Sequence, residues 1–295
     1  MSIDRSQRNT IFVEEALVLA HEHVQGAQHI LRLHAPKTAR RAVPGSFAHI
    51  QCGERMPMRR PFSMMRTDPT EGWVEFLYKA IGSGSTELAK RVTGDTVSLL
   101  GPVGNGFSPS ENRRRPVLIG GGVGIPPMVF LADHLRQRHN QARPIVFMGS
   151  EVPFPFPSRP SEILVDGIPN GVIGCLPLLD DWGIPSRLAS TQGFAGCYDG
   201  FVTDLAREWL NSLDSDARKE IEIFACGPTP MLKAAASLAR DLELPAQLCL
   251  EEFMACAVGG CAGCVVPVHG PEGVAMKRVC VDGPVFEAQS VYPSD

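Results

Sequence analysis

Up to about residue 110, apolar and polar positions alternate. His29-Ile30-Leu31-Arg32-Leu33-His34, Trp73-Val74-Glu75-Phe76-Leu77-Tyr78 and Asp95-Thr96-Val97-Ser98-Leu99-Leu100 repeat with the period of strands that bury one face. Turn-forming residues separate them at Pro44-Gly45, Pro69-Thr70-Glu71-Gly72, Gly94-Asp95 and Gly101-Pro102. Short strands at this spacing predict a small antiparallel barrel. One helix is expected to interrupt it, Ser85 to Val92, capped by Ser85 or Thr86.

From Arg115 the rhythm changes. Val117-Leu118-Ile119 reads as a short buried strand, followed by glycines and a helix with Met128, Leu131, Ala132 and Leu135 on one face. Further apolar runs lie at Ile145–Met148, Ile221–Phe224 and Gln247–Leu250, with helical patterns at Val202–Leu213 and Met231–Leu242. Alternation of strand and helix predicts a parallel, three-layer α/β domain. A proline-rich insertion, Pro153 to Pro169, interrupts it without a functional reading. Beyond Glu251 the chain turns rich in cysteine and glycine. The expected domains are a barrel over 1–112, an α/β domain over 113–247 and a small cysteine-rich domain over 248–295.

Composition narrows the functional classes. With 44% apolar and 20% charged residues, the 295-residue chain can bury a core. A net charge of −4 gives no electrostatic footprint for nucleic acid or an anionic membrane, and neither partner is expected. No segment has the ~18 unbroken apolar residues of a membrane span, and the polar N-terminus lacks the apolar core of a signal peptide. A cytoplasmic protein is expected, in which nine cysteines serve metal binding or catalysis rather than disulfides.

Four of those cysteines are clustered. Cys256-x4-Cys261-x2-Cys264, then fifteen residues to Cys280, matches the spacing of plant-type [2Fe–2S] sites. Three closely spaced thiolates wrap one side of a compact cluster and a distant fourth closes the cage. The small residues Ala257, Gly259, Gly260, Ala262 and Gly263 allow backbone amides to turn toward sulfur. Tetrahedral zinc is the competing metal, although zinc sites usually show paired C-x2-C hooks and only one is present.

Two glycine-rich stretches suggest anion sites. Gly120-Gly121-Gly122-Val123-Gly124-Ile125-Pro126-Pro127 joins a strand to a helix, where glycines admit a pyrophosphate to the helix N-terminus. It departs from the strict dinucleotide fingerprint at Pro127, and a plain strand–helix turn is the alternative. Arg60-Pro61-Phe62-Ser63 offers a guanidinium, a ring and a hydroxyl, and Lys79 with Gly82-Ser83-Gly84-Ser85 a nest of amides.

In this order, the pieces resemble the ferredoxin–NADP reductase superfamily, and within it the electron-transfer subunits of two-component, NAD-linked dihydroorotate dehydrogenases. The resemblance spans nearly the whole chain. It rests on Arg60–Ser63, Gly101-Pro102-Val103-Gly104-Asn105-Gly106-Phe107, Cys226-Gly227-Pro228-Thr229-Pro230-Met231, and Glu251 to Cys256 through Cys280 to Phe286. The last stretch is the specific one. The implied fold is an N-terminal FAD-binding barrel, a Rossmann-like NAD-binding domain and a C-terminal [2Fe–2S] domain. By position, Arg60 would pair with the FAD pyrophosphate, Pro61 and Phe62 would pack on the flavin, and Ser63 would hydrogen-bond near N5. Leu77, Tyr78, Lys79, Gly84 and Ser85 would complete the FAD cradle. Gly120, Gly121, Gly122 and Gly124 would face the NAD pyrophosphate. Cys226, with Gly227 and Pro228, would stand beside the nicotinamide, making Ser63 and Cys226 the expected catalytic residues. Cys256, Cys261, Cys264 and Cys280 would hold the cluster.

The resemblance implies half of a circuit, because no segment looks like an FMN barrel or a base able to deprotonate dihydroorotate. An FMN-containing catalytic partner would deliver electrons through the cluster and FAD to NAD⁺ in a hetero-oligomer. Related subunits serve hydrogenases, sulfide or sulfur reductases and ferredoxin, and a non-catalytic redox sensor is a reading from another class. Glu151, past the second strand of the α/β domain, would disfavour a 2′-phosphate and so NADP. Some positions depart from the pattern: Ala257 replaces a usual glycine, at a cost of about 1 kcal/mol if its φ is positive, Ser85 a threonine and Ser46 a glutamine. His21 and His23 are expected on the surface, and Arg113, Arg114 and Arg115 in a solvated linker.

Overall fold

The computed structural model describes residues 10–138 and 141–294. Strands β1 (Phe12–Val24), β2 (Gln28–His34), β3 (Phe47–Ile50), β4 (Arg60–Asp68), β5 (Trp73–Lys79) and β6 (Thr96–Val103) close into an antiparallel barrel in the order β1-β2-β5-β4-β3-β6. Alternation works as the sequence implies: Leu31, Leu33, Val74, Phe76, Val97 and Leu99 point inward and form its core. The interrupting helix spans Ser83–Leu88 rather than Ser85–Val92. Gly82 holds the cap position, and Ser85 serves from inside the first turn, its hydroxyl accepting from the Ile81 and Gly82 amides at 3.2 and 3.1 Å.

The second domain is built on β7 (Arg115–Gly121), β8 (Ile145–Gly149), a two-stranded ladder β9 (Arg159–Pro160) with β10 (Gly174–Cys175), then β11 (Ser186–Ser190), β12 (Tyr198–Asp199), β13 (Ile221–Cys226) and β14 (Ala246–Cys249). The sheet runs β12-β11-β8-β7-β13-β14, all parallel. Successive residues of β7 face opposite layers. Val117 and Ile119 pack against the helices Val202–Ser212 and Thr229–Asp241, and Leu118 against the helix Ile125–Arg138. That helix also leans on the barrel strand β4. The proline-rich insertion carries β9 and part of the way to β10, tied to the sheet side by a Phe154–Phe156–Phe194 ring cluster and to the barrel by Gln28 Nε2 on the Pro153 carbonyl at 2.9 Å.

Of the arginine run, Arg114 is exposed as expected, but Arg113 and Arg115 are not solvated. Arg113 Nη1 donates to the carbonyls of Lys219 (3.0 Å) and Ile221 (2.7 Å), and Arg115 stands over the Trp209 ring at 5.8 Å. These guanidinia meet carbonyls and a ring left open where the chain enters the sheet.

The C-terminal region is a hairpin, β15 (Val265–Gly270) with β16 (Gly273–Arg278), and a return strand β17 (Val285–Glu287) that adds antiparallel to β14. Between hairpin and sheet, the Gly101–Phe107 motif acts as a clasp. The Asn105 amide nitrogen donates to Gly283 O at 2.6 Å, and its side chain to the carbonyls of Val281 and Asp282 at 3.0 and 3.3 Å. Gly104, with φ +89°, leaves room for the Pro284 ring, which any Cβ would strike. Among the described residues no helix is long and apolar enough to cross a membrane.

Candidate redox centre

The fifteen-residue gap before Cys280 is spanned by the hairpin. Register pairs Val265 with Arg278, so the flanking cysteines return to one another, and the Val279 amide donates to Cys264 O at 3.0 Å. The Cys261 thiol is among the groups that lower the Cys256 pKa and the Cys264 thiol among those that raise that of Cys280, as expected of cysteines gathered by one loop and the hairpin that closes it. A C-x4-C-x2-C loop closed by a hairpin that returns the fourth cysteine suits a binuclear iron–sulfur cluster.

The loop supports thiolates. Burial would raise the Cys256 pKa, but the amides of Val258, Cys261 and Gly260 and the Cys261 thiol outweigh it and bring it down to about 7. Cys280 is pushed up to about 12 by burial first and then by the Cys264 thiol, and metal binding there would release its proton. The amides point inward because Ala257, Gly259 and Ala262 adopt φ of 57°, 79° and 53°. Ala257 therefore carries the strain its place in the pattern implies. We expect Ala257→Gly to stabilise the loop by about 1 kcal/mol, read as slower loss of iron to a chelator; unchanged or faster loss would show that the buried methyl matters more.

On the barrel, Arg60 lies across the start of the helix Ser83–Leu88. A Cβ at Gly84 would stand 3.0 Å from Arg60 Cγ, so this glycine makes the cradle in which the guanidinium rests. Among the described residues, Arg60 Nη1 donates to backbone carbonyls alone, Met58 O at 2.9 Å and Arg59 O at 3.1 Å, and no carboxylate pairs with it. No side chain caps the amides of that first turn. A guanidinium beside open helix-start amides fits a pyrophosphate. Pro61 and Ser63 are half-buried, Phe62 meets Tyr78 edge-on at 5.3 Å, and Leu77 faces the sheet domain.

At the sheet's C-terminal edge, glycines serve two purposes. Gly120 lies opposite Cys226 in register, and Cβ atoms at Gly121 and Gly124 would collide with Met231 and with the Cys226 carbonyl. These glycines, with Gly227, let two loops pack backbone to backbone. Gly122, at φ +55° with open space beside it, faces outward. Pro228 precedes the helix Thr229–Asp241. Cys226 is fully buried against Cys249, its neighbour on β14, and the bond to Cys249 and then burial push its pKa up. The sequence reading passed over Glu251. Water reaches this residue, yet protein crowds its other sides, and that desolvation raises its carboxyl above the usual range while its charge bears on Cys226. Its position two residues past a strand end at this edge was the available signal.

Barrel, sheet and loop define a reductase of the ferredoxin–NADP reductase type with a cluster-binding module at its C-terminus. Residues 251–292 match the family described as the iron–sulfur cluster binding domain of dihydroorotate dehydrogenase B. The chain is 30% identical over 281 residues to the dihydroorotate dehydrogenase B (NAD(+)) electron transfer subunit of Desulforamulus reducens, covering 95% of this chain and 98% of that protein. It is 32% identical to the subunit of the same name from a Geobacillus species, over 94% and 98%. Among solved structures, the NADH-dependent reduced ferredoxin–NADP oxidoreductase is similar with a TM-score of 0.73 and 27% identity over 94% of this chain and 90% of that one. A Neisseria gonorrhoeae ferredoxin NADP⁺ reductase, 17% identical with a TM-score of 0.57, shares the fold over 78% and 91%. The chain belongs to the family of dihydroorotate dehydrogenase B (NAD(+)) electron transfer subunits. It is an oxidoreductase electron-transfer subunit that binds an iron–sulfur cluster, FAD and NAD.

Proposed function

We propose that the chain carries electrons from an FMN-containing dihydroorotate dehydrogenase subunit to NAD⁺, in a cytoplasmic hetero-oligomer. The observation that carries this reading is the hairpin register that returns Cys280 to Cys264 beside the Cys256–Cys261 loop, in a module clasped to the barrel through Asn105. When bound, the cluster exchanges single electrons and FAD exchanges them singly or in pairs, which links a one-electron donor to hydride transfer. The chain's residues bind and orient. Arg60 with the amides before Gly84 and Ser85 takes the pyrophosphate, and Lys79 adds a cation. Pro61, Phe62, Leu77 and Tyr78 seat the ring system, and the Ser63 hydroxyl addresses its N5 edge. Gly122 admits the NAD pyrophosphate to the start of the helix Ile125–Arg138. Pro228, backed by the buried Cys226 and Gly227, would floor the nicotinamide site, with Glu251 at its side. Glu151, exposed just past β8, favours NAD over NADP. Nine unpaired cysteines suit a reducing compartment.

Anaerobic purification from the native host tests this: about two irons and one FAD per chain, with an FMN protein co-purifying, are expected. Arg60→Ala should weaken FAD binding about 10- to 100-fold through loss of a charge-assisted contact while leaving iron content unchanged. A colourless, zinc-loaded protein would end the reading. The likeness to the ferredoxin–NADP oxidoreductase over 94% of the chain favours a second reading, with ferredoxin as the donor; recovery of ferredoxin in place of the FMN protein would establish it.

A further inference from the structure

A one-residue irregularity in β1 re-aims two histidines. Val18 pairs with Leu33 and Ala20 with Arg32, so Leu19 is the extra residue and the inward–outward alternation inverts beyond it. Without this bulge, His21 and His23 would face outward as the sequence alternation implies. With it they share a face with Leu31 and His29, their register partners, His21 half-buried and His23 exposed at the barrel's open end as expected. A continuous row of rings results across the end of the barrel. His23 meets His29 at 4.9 Å, His29 stacks on Tyr78 at 5.2 Å and 17°, and Tyr78 meets Phe62 at 5.3 Å.

His21 is the bonded member of the group. Its Nδ1 lies 2.7 Å from the Arg91 carbonyl and its Nε2 2.9 Å from the Tyr78 hydroxyl. A carbonyl only accepts, so Nδ1 carries the hydrogen and the Nε2 lone pair receives the Tyr78 O–H. Tyr78 is only 2% exposed, and its phenol has no other partner among the described residues. Burial raises the pKa of that phenol, and burial lowers that of His29.

We propose that His21 is a positioning residue for the flavin: it fixes Tyr78, and Tyr78 fixes the Phe62 ring on which the bound FAD rests. This inference depends on the proposed FAD site. The His21–Tyr78 bond also satisfies a buried hydroxyl of the barrel, so stability alone does not separate the two roles, and flavin release and dichroism are the readouts that do.

The test follows FAD release from the holoprotein by the rise in flavin fluorescence, with the visible circular dichroism of the bound flavin and the thermal melt as companions. His21→Leu and Tyr78→Phe should each speed release about tenfold. They should alter the flavin dichroism in the same way and combine without adding, because both remove one bond. His21→Gln, whose amide can replace both partners, should restore release to within about twofold of the natural chain. Unchanged release and dichroism in His21→Leu, with or without a lower melt, would overturn the proposal and leave the histidine a stabiliser of the barrel only. Strictly additive effects of the two substitutions would overturn it as well. A natural chain that retains no flavin would instead overturn the FAD reading, and this inference with it.

Discussion

Cys280→Ser is expected to leave a folded, flavin-bearing protein that cannot pass electrons to or from its partner. Cys280 is buried where the hairpin returns it to Cys264, so its loss removes one of the expected sulfur ligands. A serine hydroxyl is a hard, weakly acidic ligand and a poor substitute for thiolate on iron. The swap changes volume little, and its cost to the fold should stay near 1 kcal/mol. Electron transfer from the partner should fall by about 100-fold or more, equivalent to roughly 3 kcal/mol in the barrier. NADH oxidation with ferricyanide, which the flavin half supports alone, should stay within about threefold. Paramagnetic resonance after dithionite would show the cluster signal lost. A full signal with unaltered partner-linked transfer would remove Cys280 from the ligand set.

The second large effect lies at the other end of the circuit. Gly124→Ala puts a methyl group against the carbonyl of Cys226 and the amide of Gly227. Both are backbone atoms held in neighbouring strand ends, and no rotamer can relieve the collision. About 3 kcal/mol or more of local destabilisation is expected, together with a fall of about 100-fold or more in the rate at which NADH reduces the flavin. FAD and iron content should hold, because the barrel and the cysteine loop lie outside this contact. Gly122→Ala is the matched control for the fold, read by thermal melt. Its φ of +55° costs about 1 kcal/mol, but no protein atom stands within 4 Å of the new methyl. Thermal melts would separate the two substitutions, while stopped-flow reduction by NADH follows Gly124→Ala. Equal melts would mean that the loop glycines matter for backbone conformation and not for contact.

The resemblance carried the same residues into the sequence reading, yet the reason for several differs once the fold is seen. Gly124 was expected to face a pyrophosphate and instead lets two loops touch, whereas Gly122 keeps the open side. Gly101–Phe107 was only a recurrent stretch in the chain; in space Gly104 and Asn105 bind the segment after Cys280. The arginines at 113 and 115 looked solvated because charge in sequence says nothing of which carbonyls and rings will lie nearby.

What the sequence determined by itself is the local part. Period-two alternation specified the strands β2, β5 and β6, the strand–helix rhythm specified the parallel sheet, and the spacing of Cys256, Cys261 and Cys264 specified the metal loop. Such signals survive in a linear chain because each depends on residues a few positions apart. Tertiary structure alone decided the return of Cys280 to Cys264, the burial of Cys226 beside Glu251, and the inward turn of His21. A hairpin register, a strand end and a single bulge set those, and a shift of one residue in any of them would send the same side chains to the opposite face.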